Sequence, residues 1–120
     1  MVKWNLNLDY KGEQYVEEIM TLTGKQKRYL RSLGSTMDPV VQIGKTGISA
    51  SLLTSTKEAL IARELIKVRV LQNCSEVPKE AIAELAEVSG AELVQVIGRN
   101  GLLYKKNRNP EKKHKIELPS

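Results

Sequence analysis

Apolar positions along the chain switch between a helical and a strand period, and each switch falls beside a capping or turn residue. Thr23-Gly24-Lys25-Gln26 has the Thr-x-x-Gln form of a capping box, which predicts a helix start. In that helix Leu22, Gln26, Tyr29, Leu30 and Leu33 share one side and Lys25, Lys27, Arg28 and Arg31 the other, with Gly34 placed to end it. VVQIG, residues 40–44, is β-branched and follows Pro39, as a short strand would. Ser49 is positioned to cap a second helix running to about Ala62, with Ile48, Leu52, Leu53, Thr56, Ala59 and Leu60 toward the core. ELIKVRVL, residues 64–71, changes the period to two: Ile66, Val68 and Val70 on one face, Lys67 and Arg69 on the other. Pro78 suits the first turn of a third helix with an apolar stripe of Ala81, Ile82, Leu85 and Ala86, and Gly90 closes it. Residues 93–106 read as two apolar runs joined by Gly98-Arg99-Asn100-Gly101, in which Asn-Gly is a favoured hairpin dipeptide. The predicted order is α-β-α-β-α-β-β.

The two ends do not share this patterning. Residues 1–19 carry two cations against four anions, three of the five aromatic residues and no amphipathic period. Met20 follows Val16-Glu17-Glu18-Ile19, which a purine-rich ribosome-binding sequence can encode. Residues 1–19 are therefore expected to be translated leader with Met20 as the natural start, and the alternative is a genuine N-terminal strand or arm. Residues 108–120 are polar, cationic and proline-containing, and are expected to form a flexible basic tail.

A chain of 120 residues is the size of one domain. Its 19 basic and 14 acidic residues give a net charge of +5, a field suited to a polyanion. The charge is uneven. Residues 24–34 hold four cations and no anion, residues 76–92 hold five glutamates against Lys79, and residues 98–115 hold seven cations against Glu111. No apolar run is long enough for a membrane span and the N-terminus lacks a secretory h-region, so a cytoplasmic location is expected. Cys74 is the one cysteine and His114 the one histidine, far apart in sequence. No metal site, cofactor, small-molecule substrate or nucleophilic catalytic set is expected from these residues, and the chain does not read as an enzyme.

The candidate chemistry lies in Gly44-Lys45-Thr46-Gly47, between the first strand and the second helix. A glycine-rich turn there points to phosphate, because the first N–H groups of a helix have no internal partner. Gly44-Lys45-Thr46 supplies half of a nucleotide-hydrolase phosphate loop, but Pro39 occupies the place of its first glycine. A Gly-x-x-Gly loop instead lets the backbone approach a sugar-phosphate chain closely, as in RNA-binding KH modules. The pattern is equally compatible with a plain strand-to-helix turn. Cations that could adjoin it are Lys25, Arg28 and Arg31 on the first helix, Lys67 and Arg69 on the second strand, and Arg99, Lys105 and Lys106 around the hairpin.

Three ordered blocks, LTGKQKRYLRSLGSTMDPVVQIGKTGIS, ELIKVRV and VQVIGRNGLLYKKN, resemble the successive signatures of the CRM domain, the chloroplast RNA splicing and ribosome maturation family, in its stand-alone bacterial YhbY-type form. The resemblance covers about residues 21–107 and assigns 20–107 to one RNA-binding domain. It implies an α/β fold similar to the C-terminal domain of translation initiation factor three. It also implies RNA binding through Gly44, Lys45, Thr46 and Gly47, with Lys25, Lys27, Arg28 and Arg31 as the basic first helix, and ribosomal RNA of the large ribosomal subunit precursor as partner. Arg63 stands where the family usually has histidine, and Lys105 where arginine is usual, which removes a bidentate fork. Tyr104 is open to two readings, a base-stacking ring or a buried hairpin residue. The expected architecture is a mixed four-stranded sheet with the second and third helices on one face and the first contributing basic surface. The alternative function is a protein-docking module of a ribosomal or translation complex that uses the acidic third helix, through Glu80, Glu84 and Glu87.

Overall fold

The computed structural model describes residues 22–106, 116, 118 and 119, so the expected leader and most of the expected tail lie outside the described residues. The elements follow the predicted order: α1 (Gly24–Gly34), β1 (Val41–Ile43), α2 (Ala50–Arg63), β2 (Leu65–Val70), α3 (Pro78–Ser89), β3 (Glu92–Ile97) and β4 (Asn100–Tyr104). The capping box at Thr23 is formed in both directions, with Gln26 N donating to Thr23 Oγ1 at 3.1 Å and Thr23 N to Gln26 Oε1 at 3.0 Å. Ser49 caps α2 by accepting from Leu52 N, and Pro78 opens α3. Gly90 ends α3 in the left-handed conformation, where its missing Cβ removes the steric penalty.

The sheet order is β1-β2-β4-β3. β1 and β2 are parallel and joined by the α2 crossover, whereas β4 lies antiparallel to both β2 and β3. The sheet is therefore mixed, as expected. The strand alternation separates two apolar clusters. Val41, Ile43, Ile66, Val68, Val70 and Leu103 are buried with Leu60 of α2 and Ala81, Ile82, Leu85 and Ala86 of α3. Leu30 of α1 is buried on the other side with Leu65, Val94, Leu102 and Tyr104. The first helix thus covers the face opposite α2 and α3, a placement the sequence left open.

Several local expectations change. Tyr29, assigned to the core side of α1, is 38% exposed; Leu30 is the fully buried apolar residue of that helix. Gly34 does not end α1 by adopting a left-handed conformation, since Ser35 is the C-cap with φ −62°. Its role is close packing: a Cβ there would stand 2.5 Å from Leu102 Cδ1. The hairpin turns on Gly98-Arg99, with Gly98 at φ +58°, and not on Asn100-Gly101. Glycine at positive φ in the first loop position matches a type II′ turn. Gly101 lies within β4, where a Cβ would meet Ile82 Cγ2 at 2.7 Å. Of the predicted tail, Ile116 and Leu118 pack against the α1-side cluster and Pro119 O accepts from Gln26 Nε2, so those three residues join the fold.

Candidate nucleic-acid interface

The parallel pairing of β1 with β2 brings their carboxyl ends to one edge of the domain. Ile43 pairs with Val70, and Leu71 N donates to Ile43 O at 2.8 Å, so the segment after β1 and the segment after β2 leave the sheet side by side. In open α/β sheets such carboxyl-end crevices are where ligands bind. Residues 44–47 form a tight turn closed by Gly47 N donating to Gly44 O at 3.0 Å. Gly47 has φ +71°, which an L side chain rarely adopts. Lys45 and Thr46 are exposed at the tip. Ser49, two residues later, caps α2, whose first turn contains no acidic residue. The positive end of a fourteen-residue helix dipole therefore stands behind the glycine turn.

Apart from Lys45 at the turn, the proposed cations fall into four groups. Lys67 and Arg69 alternate with Ile66, Val68 and Val70, so they share the α1 face of the sheet with Leu65. Arg69 pairs with Gln42 on β1, and both side chains are exposed. Lys25 and Arg28 are exposed on α1, while Lys27 and Arg31 are half-buried. Arg99 sits in the β3–β4 turn at the same edge as the glycine turn: its backbone O accepts from Val70 N, and its Nη1 donates to Leu71 O at 3.2 Å. Part of its guanidinium is thus committed to bracing the segment after β2.

Lys105 and Lys106 do not adjoin the glycine turn. They follow Tyr104, which pairs with Leu65 at the start of β2, whereas Asn100 pairs with Arg69 near its end. Four strand residues at about 3.3 Å each place them roughly 13 Å away along the sheet. Lys105 N donates to Glu64 O, and Lys105 Nζ lies 3.1 Å from where a Cβ of Gly90 would stand. That puts an ammonium at the C-terminal end of α3, where it complements the helix dipole. Tyr104 is 4% exposed and packed in the α1-side cluster, which favours the buried reading of its ring.

Two residues at the glycine turn had no signal of their own in the sequence. A Cβ on Gly47 would stand 3.6 Å from Glu76 Oε2, and one on Gly44 would stand 3.7 Å from Asn73 Oδ1. Both belong to the segment between β2 and α3, and Glu76 reads in sequence only as one member of an acidic run. The signal that could have found them is topological: a βαβ unit puts the loops that follow its two parallel strands at one edge.

Residues 22–105 match the model of the CRS1 / YhbY (CRM) domain. The chain belongs to the CRM family. It is 46% identical over 98 residues to the Bacillus subtilis protein YqeI, named a probable RNA-binding protein, covering 82% of this chain and 99% of that one. Against the Pseudomonas aeruginosa protein PA4753, which carries the same designation, identity is 34% over 93 residues, with 78% and 89% covered. A solution structure of a hypothetical Staphylococcus aureus protein, described as a candidate RNA-binding protein, superposes with a TM-score of 0.67 at 47% identity, over 82% of this chain and 100% of that one. Among the described residues no helix is long and apolar enough to cross a membrane.

Proposed function

We propose that this CRM domain binds RNA, holding a sugar-phosphate backbone against residues 44–47 while the α1 face of the sheet supplies the surrounding positive charge. The observation that carries the reading is the glycine turn itself: Gly47 at φ +71° stands two residues before Ser49, the cap of a helix with no acidic residue in its first turn. Backbone N–H groups and the helix dipole then favour an anion beside Gly44 and Gly47, which carry no side chain of their own. Lys45 contributes one further ionic contact, Arg69 and Lys67 extend the track along β2, and Lys25, Lys27, Arg28 and Arg31 continue it on α1, which packs over the Leu65 and Tyr104 end of the sheet. Arg99 lies at the same edge, while Lys105 and Lys106 serve only an RNA long enough to pass the other end of the sheet. The names of the relatives support RNA as partner. Family membership supports the narrower reading, a cytoplasmic ribosome assembly factor acting on ribosomal RNA of the large-subunit precursor.

Gly47→Val and Lys45→Ala test the turn on protein whose fold is checked by circular dichroism. Gly47→Val should weaken RNA binding more, because a branched side chain blocks close approach and opposes a positive φ. Lys45→Ala should flatten the log-log salt dependence by less than one unit. If folded Gly47→Val binds RNA as wild type does, residues 44–47 are only a turn. Crosslinking followed by sequencing of the bound RNA tests the ribosomal assignment.

The docking alternative has one observation in its favour. A groove of about 350 Å³ between α2 and α3 is lined by Lys57, Ile61, Glu87, Val88 and Lys105, and Ile61 and Val88 are 51% and 43% exposed. Pull-down with and without ribonuclease separates a protein partner from an RNA-mediated one.

A further inference from the structure

The glycine turn faces an acceptor. Glu76 Oε2 stands 3.6 Å from the position of a Gly47 Cβ, which is ordinary van der Waals contact across the crevice. The Asn73 amide occupies the matching place beside Gly44. Both side chains are exposed, and among the described residues no ion pair or hydrogen bond engages the Glu76 carboxylate. An ionised carboxylate accepts hydrogen bonds and donates none, so it cannot hold a phosphate and repels one placed against it. Whatever part of a bound RNA lies over Glu76 must offer N–H or O–H groups. The segment that carries it is held in place at three points: Leu71 N on Ile43 O, Cys74 N on Leu71 O, and Arg99 Nη1 on Leu71 O.

We propose that Glu76 reads a base: it accepts hydrogen bonds from the Watson–Crick edge of a nucleotide adjoining the phosphate held by residues 44–47, and it favours guanine there. The inference rests on the RNA-binding reading above. In single-stranded RNA the Watson–Crick edges are free to be read. Guanine presents two neighbouring donors, N1–H and the N2 amino group, which match the two carboxylate oxygens in the fork geometry that makes bidentate pairs strong. Adenine and cytosine each present one amino group. Uracil flanks its N3–H with two carbonyl oxygens, which the carboxylate repels. The expected order is therefore guanine first and uracil last, with the glycine turn supplying affinity and Glu76 the discrimination.

Fluorescence anisotropy at one fixed salt concentration, with a uridine octamer and the same octamer carrying a single central guanosine, tests this on the full chain. Wild type should bind the guanosine octamer about fivefold or more tightly, the range expected for one good side-chain-to-base pair. Glu76→Ala, folded by circular dichroism, should bring the two octamers within about twofold of each other while still binding the uridine octamer at least as well as wild type. Equal binding of both octamers by wild type overturns the proposal and leaves the RNA-binding reading intact. So does a guanosine preference that survives in Glu76→Ala, or a gain of the same factor for both octamers, which would make Glu76 a repulsive charge only. Failure of wild type to bind either octamer at any salt concentration overturns the RNA-binding reading and this inference together.

Discussion

The two faces of the sheet are covered to different extents, and the difference separates what holds the fold from what is free to bind. On the α2 and α3 side, Val41, Ile43, Ile66, Val68 and Val70 are all at or below 4% exposure, so β1 and β2 are covered along their length. On the α1 side the cover is partial. Leu65, Leu102 and Tyr104 lie beneath it, Lys67 is half-buried, and Arg69 and Gln42 stand in solvent. A strand with period-two alternation can hold both roles at once, because its apolar residues take the covered face and its cations keep their hydration on the other. Arg69 thereby stays hydrated in the folded state, as the proposed binding surface requires.

The sharpest break between the faces should come from removing volume on the covered one. Leu85 is fully buried against the sheet through α3, and Leu85→Ala should cost about 2–5 kcal/mol of stability in urea denaturation. The fraction still folded should bind RNA as wild type does. A loss under about 1 kcal/mol would mean that this cluster collapses readily and is not the main support.

Two glycines give a finer contrast, since each lets one face pack tightly. Gly101 approaches α3: an added methyl would stand 2.7 Å from Ile82 Cγ2 and 3.3 Å from the backbone oxygen of Gln95. Gly101→Ala should cost about 1–3 kcal/mol, because main chain as well as side chain must give way. Gly34 approaches Leu102 on the α1 side, where the obstruction is one side chain and no main chain, with the two methyls at 2.5 and 2.6 Å and Cγ at 3.1 Å. Alanine is favoured over glycine by up to about 1 kcal/mol in a helix interior and by less at the last helical residue, where Gly34 stands, which offsets part of the overlap. Gly34→Ala should therefore be the milder variant, and the reverse order in thermal denaturation would show that α1 packs the more rigidly of the two.

These glycines also mark where the sequence was legible and where it was not. The capping box at Thr23, the period-two run of β2 and the α3 stripe were readable because each is set by neighbours within a few residues. In local sequence Gly34 and Gly101 look like a helix end and a turn, the usual uses of glycine, but their partners are Leu102 and Ile82, distant in the chain. The exposure of Tyr29 has the same origin: the helical period marks a side, and tertiary packing decides how much of that side is covered. At the candidate site the turn over residues 44–47 was visible as a motif. Its apposition to Glu76 was not, because strand pairing creates it and spacing along the chain does not.

On the open face the expected effects are on binding. Arg69→Ala should flatten the salt dependence of RNA affinity by about 0.7 log units per log unit of salt, the value for one phosphate on a single strand. Its stability should stay within about 0.5 kcal/mol of wild type, as for an ordinary surface change. Reversing Glu80, Glu84 and Glu87 on the acidic helix should leave RNA binding no weaker. A loss there would bring α3 into the interface and erase the division between the faces.

The smallest effect should be at Lys105, and it separates charge as such from charge in the right place. Lys105 and Arg69 are both exposed cations, so a purely global field would make their loss equivalent for RNA. Their positions differ. Arg69 pairs with Asn100 at the edge that carries the glycine turn, while Lys105 lies beyond Tyr104 with its ammonium over the end of α3. At about 0.15 M salt, charges separated by more than about 8 Å are largely screened, and the distance along β2 exceeds that. For an octamer held at residues 44–47, Lys105→Ala should leave affinity within about twofold and the salt slope unchanged, with at most a few tenths of a kcal/mol lost from the helix dipole. Equal losses for Lys105→Ala and Arg69→Ala on the same octamer would show that net charge alone sets affinity, and that the two ends of the sheet are not distinguished by RNA.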